Sequence, residues 1–158
     1  MKLKLTKGRI ASQNEITALQ QKLGEVLPSE LLEFVAQNDG AEPETNIFKV
    51  GTSNESGVNG FIPVKEIANE IPRIENLPSR SFPVAWAEGG NYIFVNQAQG
   101  GAVFFWDHER PENITRLANT FRSFLELLEP FEVGSVKLKP GQVKKAWIGP
   151  DFLKGLEG

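Results

Sequence analysis

Asp107-His108-Glu109 sets an imidazole between two carboxylates, a combination that can move a proton or ligate a metal ion. His108 is the only histidine and the chain has no cysteine. That excludes a two-imidazole metal site, a thiolate nucleophile, a cysteine zinc centre and any disulfide. On a strand, alternation would put Asp107 and Glu109 on one face and His108 on the other, which is poor geometry for a shared metal; only a turn would let the three converge. A lone histidine is ordinarily held by packing and hydrogen bonds, so the stretch reads first as a structural strand end or turn. A small ligand-binding or hydrolase site around Asp107, His108 and Glu109 is the lesser alternative. Ser12, Ser29 and Ser123 have no base in sequence context and read as helix caps or helix surface. Glu88-Gly89-Gly90-Asn91 lacks the Gly-Lys-Ser/Thr and the following helix of a phosphate loop, so it reads as a hairpin turn. No catalytic residue, metal or cofactor is expected.

Residue types suited to binding are better represented. Asp39, Glu42, Glu44 and Glu55 fall between predicted elements, where they are either solvated loop charges or a surface that mimics nucleic acid and steers a basic partner. Trp86, Glu88 and Tyr92 flank the Gly-Gly turn. Trp86 and Trp106 fit a core or half-core position better than an interface, yet aromatics near Trp86 and Tyr92 can also serve as anchors.

Charge and composition narrow the classes. The net charge is −3, but residues 1–10 carry Lys2, Lys4, Lys7 and Arg9 with no acid, whereas residues 11–80 hold eleven acids against five bases. An acidic body disfavours nucleic acid, whose phosphates need a clustered basic face. Beyond residue 130 the balance swings back, with Lys137, Lys139, Lys144, Lys145 and Lys154 against Glu132, Asp151 and Glu157. No apolar run approaches the ~20 residues of a membrane helix, and the start lacks the apolar stretch of a secretory signal, so a cytoplasmic protein with no membrane partner is expected. With 158 residues, a single domain is expected.

The elements that must position these residues follow an α+β order. Ser12-Gln13-Asn14-Glu15 fits a capping box ahead of Ile16, Leu19 and Leu23, with Gly24 as the stop. Leu27-Pro28-Ser29-Glu30 begins a second helix with Leu31, Leu32, Phe34 and Val35 as its apolar side, ended by Asn38-Asp39-Gly40. Residues 45–50 form a strand, 51–57 a polar loop, and 60–64 a short strand that Pro63 confines to an edge or an end. A short helix over 65–71 follows, then a proline-punctuated connector. Three aromatic and β-branched strands separated by paired glycines, 82–87, 92–95 and 102–106, predict an antiparallel meander. A helix from Asn119 or Thr120 to Leu128 closes this part, with Phe121, Phe124, Leu125 and Leu128 on one face. Residues 133–138 read as a strand, 139–142 as a turn, and Trp147, Ile148, Phe152 and Leu153 as an apolar plug docked on the domain.

In order along the chain, Leu27-Pro28 through Asn38-Asp39-Gly40, Phe61-Ile62-Pro63-Val64 with Glu66-Ile67, Phe82 to Val95, Gly101 to Glu109, and Leu117 to Leu128 resemble the SUKH superfamily, typified by a yeast cell-wall synthesis regulator. The resemblance covers about residues 12–130. It implies a central antiparallel sheet with helices packed on it, and binding rather than chemistry. Bacterial members resemble cytoplasmic immunity proteins that block a polymorphic toxin, often a nuclease; eukaryotic members look like regulatory scaffolds. The expectation is therefore a protein-binding domain acting on a basic toxin domain, with a regulatory interaction module as the alternative. The partner-facing residues would be Asp39, Glu42, Glu44, Glu55, Trp86, Glu88 and Tyr92.

Overall fold

The computed structural model describes residues 3–52 and 54–130; the strand, turn and plug expected beyond residue 130 lie outside them. The order is β1 (Leu5–Thr6), α1 (Gln13–Leu23), α2 (Ser29–Asn38), β2 (Glu42–Pro43), β3 (Ile47–Val50), β4 (Asn54–Phe61), α3 (Val64–Glu70), β5 (Ser81–Ala87), β6 (Asn91–Asn96), β7 (Ala102–Asp107), β8 (Arg110–Ala118) and α4 (Phe121–Leu127). This is the expected α+β architecture. The meander is twice as long as the sequence suggests: six antiparallel strands, β3 to β8, lie side by side in chain order, while β1 and β2 form a separate pair.

Strand register decides which side chains share a face. Phe61, Ala85, Ile93 and Phe105 form one row across β4 to β7. This row looks toward α2 and α4, which bring Phe34, Phe121 and Phe124. Phe34 packs tilted against Phe61 at 4.7 Å and edge-on to Phe121 at 5.3 Å, and Phe48 of β3 packs edge-on to both Phe105 and Phe124. Each such ring, fully buried, contributes about 1.5–3 kcal/mol. Gly60, Trp86, Tyr92, Trp106 and Ile114 form the row on the opposite face. There α3 and the connector after it cover Tyr92 and Trp106, with α1 packed against α3.

Three expectations change. Asn54 to Gly57, expected as loop, is the first half of β4, because its polar residues face solvent on one side while their backbone pairs with β3, as in Lys49↔Glu55. Pro63 is not in a strand; β4 ends at Phe61 and Pro63 occupies the position before α3, where a missing N–H costs nothing. β8 was not expected at all. Arg110 to Ala118 offers only Ile114, Leu117 and Ala118 as apolar residues because it is an edge strand, held chiefly by its backbone ladder to β7.

Candidate functional site

β4 carries glycine at two positions on the α3 side of the sheet, Gly57 and Gly60. Both glycines are buried, and the trough their missing side chains leave is filled by neighbouring residues. A Cβ at Gly60 would stand 3.6 Å from Glu42 Cγ and 3.8 Å from Trp86 Cε3. A Cβ at Gly57 would stand 2.7 Å from Glu88 Oε2 and 3.1 Å from Asn46 Nδ2. Glu55 lies two residues before Gly57 on the same face of β4. Thus Glu42 from β2, Glu55 from β4, Glu88 from the β5–β6 turn and Trp86 from β5 converge on one strip of sheet, and the three carboxylate residues are exposed. Two lysines moderate the charge: Lys7 Nζ is 3.3 Å from Glu42 and Lys49 Nζ 3.5 Å from Glu55. Both pairs are exposed, so neither strongly holds its carboxylate from an incoming cation. Glu44 is also exposed, just beyond β2, where its backbone N–H donates to Lys4 O at 2.7 Å.

The remaining expected partner-facing residues point inward. Asp39, read as a surface acid, is 1% exposed. Its Oδ1 accepts the Val64 N–H at 2.9 Å and its Oδ2 meets Arg9 Nη2 at 3.0 Å, so it ties the end of α2 to the start of α3 and to the N-terminal segment. Burial pushes its pKa up, and the Val64 N–H and Arg9 oppose that shift. Tyr92 is also buried, against Trp106 at a ring separation of 5.7 Å. Its hydroxyl donates to Glu70 Oε1 at 2.5 Å, and the half-buried Trp86 donates its Nε1–H to the same oxygen at 3.3 Å. Desolvation, then the Glu70 carboxylate, pushes the Tyr92 pKa to about 12. Trp86 therefore offers a ring edge beside Gly60 while its polar end is engaged below. Glu70 escaped the sequence reading; on a short helix, nothing local signals a carboxylate that collects two aromatic donors from another element.

Asp107-His108-Glu109 is the β7–β8 hairpin, with Asp107 paired to Arg110 and His108-Glu109 as the two-residue loop. Asp107 Oδ1 accepts the Glu109 N–H at 2.9 Å, and Asn91 Oδ1 contacts the His108 backbone N at 2.9 Å and its Nδ1 at 2.8 Å. His108 Nε2 lies 3.9 Å from Glu109 Oε2. The exposed imidazole is thereby fastened to the β5–β6 turn, next to Gly90, whose φ of 87° suits glycine. Among the described residues no three histidine or acidic side chains cluster as metal ligands would, and no helix is long and apolar enough to cross a membrane.

A search of curated proteins returns no match. The model of the SMI1 / KNR4 family (SUKH-1) matches residues 10–127, from just before α1 through the end of α4. With most of its length matched, including every element that builds the trough, the chain belongs to the SMI1 / KNR4 family (SUKH-1), and that membership supports a protein-binding role of an immunity-like or regulatory kind.

Proposed function

We propose that this protein is a cytoplasmic, bacterial immunity-type binding protein that occludes a cognate basic toxin domain without turnover, and that the trough over Gly57 and Gly60 is its contact surface. The observation that carries this reading is the placement of three exposed carboxylates, Glu42, Glu55 and Glu88, along the strip of β4 that carries Gly57 and Gly60, with the half-buried Trp86 beside Gly60. A carboxylate-lined strip of sheet beside an aromatic side chain suits a lysine- or arginine-rich surface such as a nuclease's substrate channel. Glu44 extends the same charge beyond β2. Asp39 and Tyr92 act beneath this surface, fixing α2, α3 and β6 rather than touching the partner.

The test is co-purification of the tagged full-length protein from its native cells, followed by salt titration of whatever complex is recovered. A basic partner held one to one, released by salt and by the double substitution E42K/E88K, is the expected result. A neutral host protein whose binding ignores both salt and the substitutions would overturn the toxin reading in favour of the regulatory module.

A further inference from the structure

The strand that carries the acidic strip also holds the one Asn-Gly pair in the chain, Asn59-Gly60; every other asparagine is followed by a residue with a side chain. Glycine leaves the asparagine amide carbon open to the backbone nitrogen that follows it, because no Cβ screens the approach. A regular strand prevents that attack by holding both residues in its ladder. β4 is not regular here. Val58 opposes Ala87 and Gly60 opposes Trp86, so two steps along β4 match one along β5, and Asn59 is the extra residue of a β-bulge. Asn59 is also exposed, between buried neighbours. Among the described residues its side chain makes one hydrogen bond, from Nδ2 to Ala87 O at 3.4 Å, which is long for such a pair.

We propose that Asn59-Gly60 is a self-modification site at which the folded protein turns an uncharged amide into a carboxylate. Solvent base takes the Gly60 amide proton, the Gly60 nitrogen bonds to Asn59 Cγ, and the Cγ–Nδ2 bond breaks, releasing ammonia and closing a succinimide ring. Water then opens the ring. Addition at Cγ gives aspartate; addition at the main-chain carbonyl gives isoaspartate, whose backbone runs through Cγ and is longer by one carbon. No oxidant or cofactor enters, and either product makes the formal net charge one unit more negative than −3. A carboxylate cannot donate to Ala87 O as the amide does, so the tie between the bulge and the residue preceding Glu88 is lost, and a further acid joins the strand of Glu55. None of this depends on what the strip binds.

The test holds the folded full-length protein and the same chain in concentrated urea side by side in mildly alkaline buffer, and peptide mass spectrometry reads the fraction of residue 59 converted to acid. In the folded protein residue 59 should convert ahead of every other asparagine, at a rate within about tenfold of the urea sample, because a bulged residue needs little local opening to react. G60A should lose the conversion. The fold admits that variant, since the added Cβ would stand 3.6 Å from Glu42 Cγ and 3.8 Å from Trp86 Cε3. Asn59 left intact in the folded protein while the urea sample converts would overturn the proposal, because the ladder would then be protecting it. Equal conversion in wild type and G60A would overturn it as well, by assigning the reaction to direct hydrolysis rather than to attack by Gly60.

Discussion

Asp39 is an ionisable group enclosed by three separate pieces of chain, and its behaviour follows from that position. Because burial raises its pKa, the folded protein holds this proton more tightly than the unfolded chain does. Its contribution to stability is greatest at low pH and declines as pH rises from the unfolded to the folded pKa. D39N keeps an acceptor for the Val64 N–H and is expected to change stability by less than about 1 kcal/mol while flattening that acid-range dependence. D39A orphans the N–H and is expected to cost about 2–3 kcal/mol; urea unfolding across the acid range measures both. Tyr92 gives a second residue-level prediction, since it is the only tyrosine and its ionisation can be read directly from the tyrosinate absorbance. The midpoint should fall near 12, and stability should decline as pH climbs from the unfolded value of about 10 through that midpoint. A titration at the ordinary phenol value would mean that the Glu70 contact does not persist in solution. Neither role was legible in the sequence. Asp39 sits in a helix-ending Asn-Asp-Gly and looked like a loop acid because the partners that bury it, Arg9 and Val64, are distant along the chain.

At the scale of elements, local chemistry was legible wherever it is locally complete. Ser12 and Glu15 form the expected reciprocal cap: Ser12 Oγ accepts the Glu15 N–H at 3.1 Å, and Glu15 Oε1 accepts the Ser12 N–H at 3.2 Å. Gly24 takes the left-handed conformation at the other end of α1, with φ of 70°. The Ser12 N–H, then Arg9, holds the Glu15 carboxyl below its ordinary range, so this contribution has the opposite sign to that of Asp39 and is lost as pH falls through the folded pKa. S12A is expected to cost about 1 kcal/mol, measured as a shift in the midpoint of thermal unfolding. The aromatic strands β5, β6 and β7 were also legible, being buried on both faces and hence apolar throughout. What stayed hidden were β8 and the first half of β4, whose side chains carry little apolar signal because ladder hydrogen bonds to a neighbour, rather than burial, define them. The trough depended on that hidden half-strand. With Gly57 read as part of a loop, nothing could place it beneath Glu88.

For the whole molecule, the acidic trough and the aromatic layer under α2 and α4 lie on opposite faces of the sheet. Charge reversal at the exposed Glu42 and Glu88 should therefore weaken a basic partner and leave the midpoint of thermal unfolding nearly unchanged. Raising salt should slow association with that partner about tenfold or more while altering dissociation little, as expected for steering by exposed charges; stopped-flow mixing at several ionic strengths reads the two rates apart. H108A should leave partner binding and inhibition intact, since His108 fastens one turn to another on the surface. A loss of inhibition in H108A with the fold intact would return attention to the β7–β8 hairpin.

The six-stranded sheet has its strands in the same order in space as along the chain, and that has a consequence in time. Each strand from β4 onward can pair with the one just made; apart from the β4–β5 connection, which carries α3, each pairing closes only a short turn, so the entropy of loop closure is met mostly in small steps. Outside the sheet ladder, backbone bridges between segments distant along the chain include β1 on β2, Arg9 on Asp39, and Glu129 on Ile47. The last of these joins the first strand of the sheet to a residue two positions past the end of α4. It cannot form until α4 has been made, and it is therefore expected to be among the last contacts to lock and the first to open.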